Sequence, residues 1–155
     1  MEPLKIRLEG DTQVVVTRRF AAKPEAVFRA HTEAELIKQW MLGPDGWTMP
    51  ECISEPFPGG KTKFVWANDS GESFSLTAET ISIDPPHRIE HVERMHLPDP
   101  TPDNHVVTTF EADGDGTLMT MVMTLPNSEV REMMLSTGMD QGMEISYQRM
   151  ERVVL

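Results

Sequence analysis

Alternating hydrophobic and polar positions and β-branched runs recur through the first 125 residues, and a helical repeat replaces them afterwards. Alternating or β-branched stretches that are bounded by Gly, Pro, Asn and Asp predict strands. These lie at 13–20, 48–54, 61–67, 72–83, 88–97, 106–112 and 117–125. Within 72–83 the apolar positions change from even (Phe74, Leu76) to odd (Ile81, Ile83), which predicts a β-bulge.

Two short helices are predicted directly after the first strand. Pro24 suits the first turn of a helix, in which Val27 and Phe28 would be buried. Thr32 and Glu35 have the spacing of a capping box, so a second helix is expected to begin there and continue to position 40.

The last 25 or so residues predict one long helix that Asn127 or Ser128 can cap. Gly138 and Gly142 disfavour helix and predict a kink or a close backbone approach. One apolar stripe at helical spacing comprises Met139, Met143, Tyr147, Met150 and Val154. A sheet with one apolar face must bury that face, and this helix is the longest element available to cover it.

Charge and cysteine content narrow the partners and the location. The chain has 25 acidic and 14 basic residues and a net charge of −11, which disfavours nucleic acids and anionic membranes. The acidity serves either solubility or the recognition of a basic protein. Cys52 is the one cysteine, so no intramolecular disulfide forms and a cytoplasmic location is expected. Neither a secretory signal nor an apolar run of membrane-spanning length is predicted.

Several stretches together resemble the activator of Hsp90 ATPase homologue 1-like (AHSA1) family of the START-like superfamily. They are VTRRFAAKPEAVFRAHTEAELIKQW, GPDGW, PFPGGKTKFVW, IDPPHRI and DGDGT, and they span roughly 13–153. The resemblance implies a single α+β domain over 1–155 with the helix-grip fold, in which a curved antiparallel sheet wraps around a long C-terminal helix. It also implies a cavity for lipids, polyketides, hormones or aromatic compounds, and a minority of superfamily members are enzymes.

The chain departs from this family at one point. Gly142-Met143 stands where the family often has Gly-Trp. A flexible thioether in place of a rigid ring should widen or soften the pocket.

A cavity between the sheet and the last helix would be lined by aromatic, methionine and a few polar side chains. Ordinary core packing also explains the same apolar residues, and both interpretations can hold because a cavity wall is also part of a core. The predicted binding residues are Trp40, Phe64, Trp66, His91, Glu93, Phe110, Met119, Met121, Met139, Met143 and Tyr147.

His91 and Glu93 are the candidate polar groups of this cavity. They alternate with Ile89 and Met95 and share one face of a strand, about 7 Å apart. They could anchor the polar end of a ligand or act as an acid and base pair, or they could form a satisfied polar cluster. His87 lies about 13 Å from His91 at strand spacing, so no metal site is predicted. No cofactor or nucleophile motif is expected either.

Three functions therefore remain open. The first is binding of a small apolar or amphipathic molecule without catalysis, by a monomer or a weak homodimer paired through an edge strand. The second is an enzyme of the cyclase or hydratase type that uses His91 and Glu93 on an aromatic or polyketide-like substrate. The third is a stress-related co-chaperone of an Hsp90-type protein, or another protein-interaction module, as the family name suggests.

Overall fold

The structure, a computed structural model, describes residues 2–155 and arranges eight strands in one antiparallel sheet. The strands are β1 (Lys5–Glu9), β2 (Gln13–Phe20), β3 (Trp47–Ser54), β4 (Lys61–Asn68), β5 (Ser73–Asp84), β6 (Arg88–His96), β7 (Asn104–Asp113) and β8 (Gly116–Thr124). The helices are α1 (Pro24–Thr32), α2 (Ala34–Trp40), α3 (Ser128–Leu135) and α4 (Met139–Val153). The spatial order of strands is β1-β2-β8-β7-β6-β5-β4-β3, so β1 and β3 are the edges.

The sheet contains the predicted strands and one strand more. The additional strand, β1, pairs with β2 from Lys5 opposite Thr17 to Glu9 opposite Gln13. It was missed because it is short and mostly exposed. The predicted bulge is confirmed, since the pairing of β5 with β6 shifts between Thr80 and Ser82. Ile81 is the extra residue and is 46% exposed, while Ile83 returns to the core.

The junction of α1 and α2 differs from the predicted capping box. Thr32 is the last residue of α1, and its hydroxyl donates to the carbonyl of Phe28 at 3.0 Å. Glu33 occupies the cap position of α2 and makes no side-chain capping bond. The prediction was wrong because a threonine at the end of a helix can bond back to the carbonyl four residues earlier.

The C-terminal region forms two helices rather than one long helix. Between α3 and α4, Gly138 adopts a left-handed backbone conformation (φ 77°). This conformation is unfavourable for any L-residue that has a side chain. The predicted interruption is therefore at the right place, but it ends the first helix instead of bending a continuous one. Asn127 caps α3, as predicted, by accepting a hydrogen bond of 2.9 Å from the Val130 amide.

The core lies between the helices and one face of the sheet, here called the inner face. The side chains on this face pack with the helices into three adjoining clusters. One cluster joins Phe20, Val27, Phe28, Ala30, Trp40, Phe110, Met119, Tyr147 and Met150. A second joins Val14, Val16, Val106, Met123 and Leu125, and a third joins Ile37, Met49, Phe64 and Trp66. This arrangement of sheet and C-terminal helix is the predicted helix-grip fold.

Within residues 2–155 every helix is too short or too polar to cross a bilayer.

Candidate functional site

His91 and Glu93 lie on the inner face near the middle of the sheet. Their strand, β6, is paired with β5 on one side and β7 on the other. His91 is opposite Val106, which is 1% exposed and belongs to the second cluster. Side chains on a strand alternate between faces, so Glu93, two residues further on, points the same way.

The two side chains form a direct hydrogen bond. His91 Nε2 donates to Glu93 Oε1 at 2.7 Å. Each side chain keeps 23% of its surface exposed, although the strand that carries them is central in the sheet. The backbone spacing of about 7 Å did not require this contact, and the two side chains lean along the strand to make it.

The eleven predicted binding residues divide by exposure. Six are buried in the first and third clusters: Trp40, Phe64, Trp66, Phe110, Met119 and Tyr147. Five remain partly exposed on the inner face or on α4, and they are called the inner-face site below: His91, Glu93, Met121, Met139 and Met143. Met121, Met139 and Met143 all pack against the second cluster, so α4 and the sheet meet there.

A row of small or polar side chains crosses the inner face at Glu93. Glu93 is opposite Ala78 on β5 and Asn104 on β7, and Ala78 is opposite Thr62 on β4. Ser54 on β3 continues the row beside Thr62. Small side chains leave space above the backbone, which accounts for the exposure of Glu93 in the middle of an otherwise apolar face.

Asn104 has the one buried amide oxygen without a partner in the part of the chain that the structure describes. The residue is 8% exposed, and its Oδ1 accepts no hydrogen bond from any residue in 2–155. Sequence analysis missed it, although asparagine is depleted in strands and its position at the start of β7 was a usable signal. In the register of the sheet Asn104 is directly opposite Glu93.

His31 is a second polar group that sequence analysis missed. Its Nδ1 donates to the Val27 carbonyl at 2.7 Å, and Nε2 is buried without a partner among residues 2–155. The rings of Trp40 and Phe110 lie 5.2 and 5.0 Å from its own, centre to centre. Burial lowers the pKa of His31 to about 4, so the imidazole is neutral near pH 7.

Tyr147, on α4, packs in the first cluster with Trp40 and Phe110. Burial raises its pKa above the usual value; the positive charge of Arg18 opposes the shift, and the carboxylates of Glu144 and Glu93 add to it. The influence of Glu93 places the α4 hydroxyl within electrostatic reach of the inner-face site.

Arg18 is a nearly buried cation on the inner face of β2, with 2% of its side chain exposed. It makes two bonds of 2.9 Å to Glu144 and one of 2.5 Å to Glu151, both on α4. Two open grooves, of about 450 and about 380 Å³, flank this ion pair on the surface of α4. None of the predicted binding residues lines either groove, and the charged groups at their centre already bond each other.

Cys52 and His96, the other candidate groups, are packed or hydrogen-bonded within the fold. Cys52 is partly buried against the third cluster, and burial raises the pKa of its thiol, which disfavours the reactive thiolate. His96 bonds Thr77 through Nε2 at 2.9 Å. No three metal-ligating side chains converge anywhere in 2–155.

Comparison with known proteins decides the family. The model of the "Activator of Hsp90 ATPase homolog 1-like protein" family matches residues 21–154. The chain belongs to this family. No curated protein matches the chain.

Solved structures agree with this family in fold. A protein from Rhodobacter sphaeroides is 30% identical, covers 96% of this chain and 95% of its own, and superposes with a TM-score of 0.89. A protein from Mycobacterium smegmatis shares the fold at 20% identity and a TM-score of 0.86, with 99% of this chain and 98% of its own covered. A protein from Nitrosomonas europaea shares it at 20% identity and a TM-score of 0.80, with 94% of this chain and 95% of its own covered. Family membership and fold are consistent with ligand binding or with a co-chaperone-like role.

Proposed function

We propose that this protein binds a small apolar or amphipathic molecule at the inner-face site, between the sheet and α4. The observation that carries the proposal is the exposure of His91 and Glu93, each 23%, on the inner face of a central strand. The inner face of such a sheet normally packs against its helices and excludes water. A partly exposed inner face indicates an opening where a ligand can replace solvent.

The lining suits an adaptable apolar ligand. Met121, Met139 and Met143 are partly exposed around the site, and methionine side chains adjust to varied shapes at little cost. Met143 also packs against the first cluster, where Trp40, Phe110 and Tyr147 supply rigid aromatic rings. A few polar groups within an apolar lining are the usual composition of a small-molecule site.

The test is native mass spectrometry of protein purified from cells without detergent, followed by thermal unfolding with a panel of apolar compounds. We expect either a co-purified small molecule or a concentration-dependent rise of the melting temperature, because a ligand that binds only the folded state stabilises it. Met143→Ala and the exposed control Met133→Ala should differ, with only the former changing binding, since Met133 is 68% exposed. An absence of both signals across the panel would contradict the proposal.

A second candidate is catalysis of the cyclase or hydratase type, and the His91–Glu93 hydrogen bond of 2.7 Å favours it. An imidazole bonded to a carboxylate can move a proton to or from a bound substrate. If the protein is such an enzyme, His91→Asn should abolish turnover of an aromatic or polyketide-like substrate while substrate binding persists. Unchanged turnover in that variant would remove the candidate.

A co-chaperone role is the third candidate, and it rests on the family description alone. A co-chaperone role predicts that an immobilised Hsp90-type chaperone retains the protein and that the protein changes the ATPase rate of the chaperone. Failure of both measurements would leave the inner-face site as the only proposed function.

A further inference from the structure

Building on the proposed function, we infer that the inner-face site selects the polar end of its ligand. The structure points to a hydrogen-bond donor, specifically a protonated amine on an apolar body, in preference to a carboxylate of the same length. The inference rests on three features: paired acceptors, engaged arginines and the net charge.

Two acceptors belong to residues that lie opposite each other on neighbouring strands. Glu93 and Asn104 are directly opposite each other in the pairing of β6 with β7, so their Cβ atoms lie about 4.5–5.5 Å apart. Within residues 2–155, His91 engages Oε1 of Glu93, and Oε2 accepts no hydrogen bond. One ammonium group, which has three donors, can reach both a carboxylate and an amide oxygen at this separation.

The Asn104 oxygen is the stronger indication, because it is buried. The residue is 8% exposed, and Oδ1 has no donor among the residues that the structure describes. A buried acceptor without a partner is unfavourable, and a ligand donor would satisfy it. A carboxylate ligand would instead add a second acceptor beside Glu93 and Asn104.

The arginines that could attract a carboxylate are already engaged. Arg18 bonds Glu144 and Glu151. Arg149 donates to the carbonyls of Trp40 and Gly43. Arg131 donates through Nη1 to that of Gly10 in the β1–β2 turn, and its Nε is buried without a partner among residues 2–155. The guanidinium groups of all three lie in side chains no more than 12% exposed.

The charge of the whole chain acts in the same direction. The net charge of −11 raises the local concentration of cations and lowers that of anions. This effect is not specific to one site, so the test must separate it from binding beside Glu93.

Three probes with one eight-carbon body isolate the head group: n-octylamine, n-octanol and octanoate. Their affinities for the full chain are measured by isothermal titration calorimetry at pH 7.5, below the concentrations at which they aggregate. We expect octylamine to bind at least about tenfold more tightly than octanoate, with octanol between them.

Substitutions at Glu93 and Asn104 test whether these two residues cause the preference for octylamine. Glu93→Gln keeps the shape and removes the charge, and it should weaken octylamine binding about 10- to 100-fold while octanol changes little. Asn104→Leu should weaken octylamine several-fold (about 3- to 10-fold). The matched control is Glu111→Gln, which removes the same charge from an exposed position on the outer face of β7 and should leave all three affinities within about twofold. Circular dichroism and thermal unfolding confirm that each variant folds.

The outcomes separate the two proposals. If octanol binds but octanoate equals octylamine, or if Glu93→Gln and Asn104→Leu leave octylamine unchanged, the amine inference is wrong and the proposed function stands. If Glu111→Gln weakens octylamine as much as Glu93→Gln does, the preference is general electrostatic attraction and the inference is also wrong. If none of the probes binds, the amine inference is wrong, whereas the proposed function is decided separately by the native mass spectrum and the panel of apolar compounds.

Discussion

The guanidinium of Arg18 makes two hydrogen bonds of 2.9 Å to the carboxylate of Glu144, which joins strand β2 to helix α4 through a nearly buried ion pair. Glu144 also accepts from the backbone amide of Leu4 at 2.9 Å, next to strand β1. The guanidinium carbon lies 4.9 Å from the centre of the Phe20 ring. One charged cluster therefore holds α4 against the sheet at the end of the core opposite the third cluster.

Removal of Arg18 should be strongly destabilising. Arg18→Met leaves Glu144 and Glu151 close together without their cation, and breaking a buried pair in this way costs about 3–5 kcal/mol. Urea denaturation measures the loss. The control is Arg19→Met, whose side chain is 47% exposed and whose bond to Asp113 should contribute no more than about 1 kcal/mol. Equal losses in the two variants would show that the cluster does not anchor α4.

Stability should fall in acid because of His31. Its pKa is about 4 in the folded state and about 6.5 when unfolded, so between these values only the unfolded chain takes up the proton. Stability conferred by the neutral ring is therefore present above pH 6.5 and is lost as the pH falls to 4, by about 3 kcal/mol in total.

The measurement is urea denaturation of the natural protein and of His31→Phe from pH 7.5 to pH 4. The difference between their free energies of unfolding should change by that amount across the window, because other titrating groups are common to both. A constant difference would mean that the ring is not buried in a neutral form.

The same substitution at two glycines should have opposite effects. Gly138→Ala forces a side chain into the left-handed region (φ 77°) and should destabilise the protein by about 1–2 kcal/mol. Gly142→Ala lies within α4, where nothing beyond the adjacent helix backbone is within 4 Å of the added Cβ, and should stabilise by up to about 1 kcal/mol. Thermal denaturation of both variants checks the signs. Stabilisation by both would place helix, rather than a break, at Gly138.

Met143→Trp tests whether the inner-face site is open. Met143 packs against both the first and the second cluster and is partly exposed, so a larger ring can extend into free space. We expect stability within about 0.5 kcal/mol of the natural protein and octanol binding at least about tenfold weaker. Ile145→Trp, at a position 39% exposed on α4, is the control and should leave octanol binding unchanged. A loss of about 1–3 kcal/mol in Met143→Trp would indicate that the site is already filled by side chains.

The sequence allowed most elements to be placed, but the helix junctions were predicted less well. Strand β2 followed from its β-branched run. The bulge near Ile81 followed from a change in alternation, since side chains on a strand have a period of two. Thr32 could bond forward as a cap or backward to Phe28, and only packing of α1 against the sheet selects the second. The left-handed Gly138 likewise converts a predicted kink into the end of a helix.

The candidate site was only partly accessible to sequence reasoning. His91 and Glu93 share a face by their spacing, but their hydrogen bond depends on side-chain conformations that the small neighbours Ala78 and Thr80 permit. Asn104 could not be connected with Glu93 without the register of β6 and β7, which the long loop between them leaves undefined in sequence.

By itself, then, the sequence determined the periodicities, the order of the elements and the resemblance to the family, because these depend on local patterns of apolar residues. The tertiary structure alone decided which polar groups meet. It buried His31 among aromatic rings, left the oxygen of Asn104, the residue opposite Glu93, without a partner, and paired Arg18 with two carboxylates more than 120 positions away. Contacts between distant residues arise from strand register and helix docking, and no local pattern records either one.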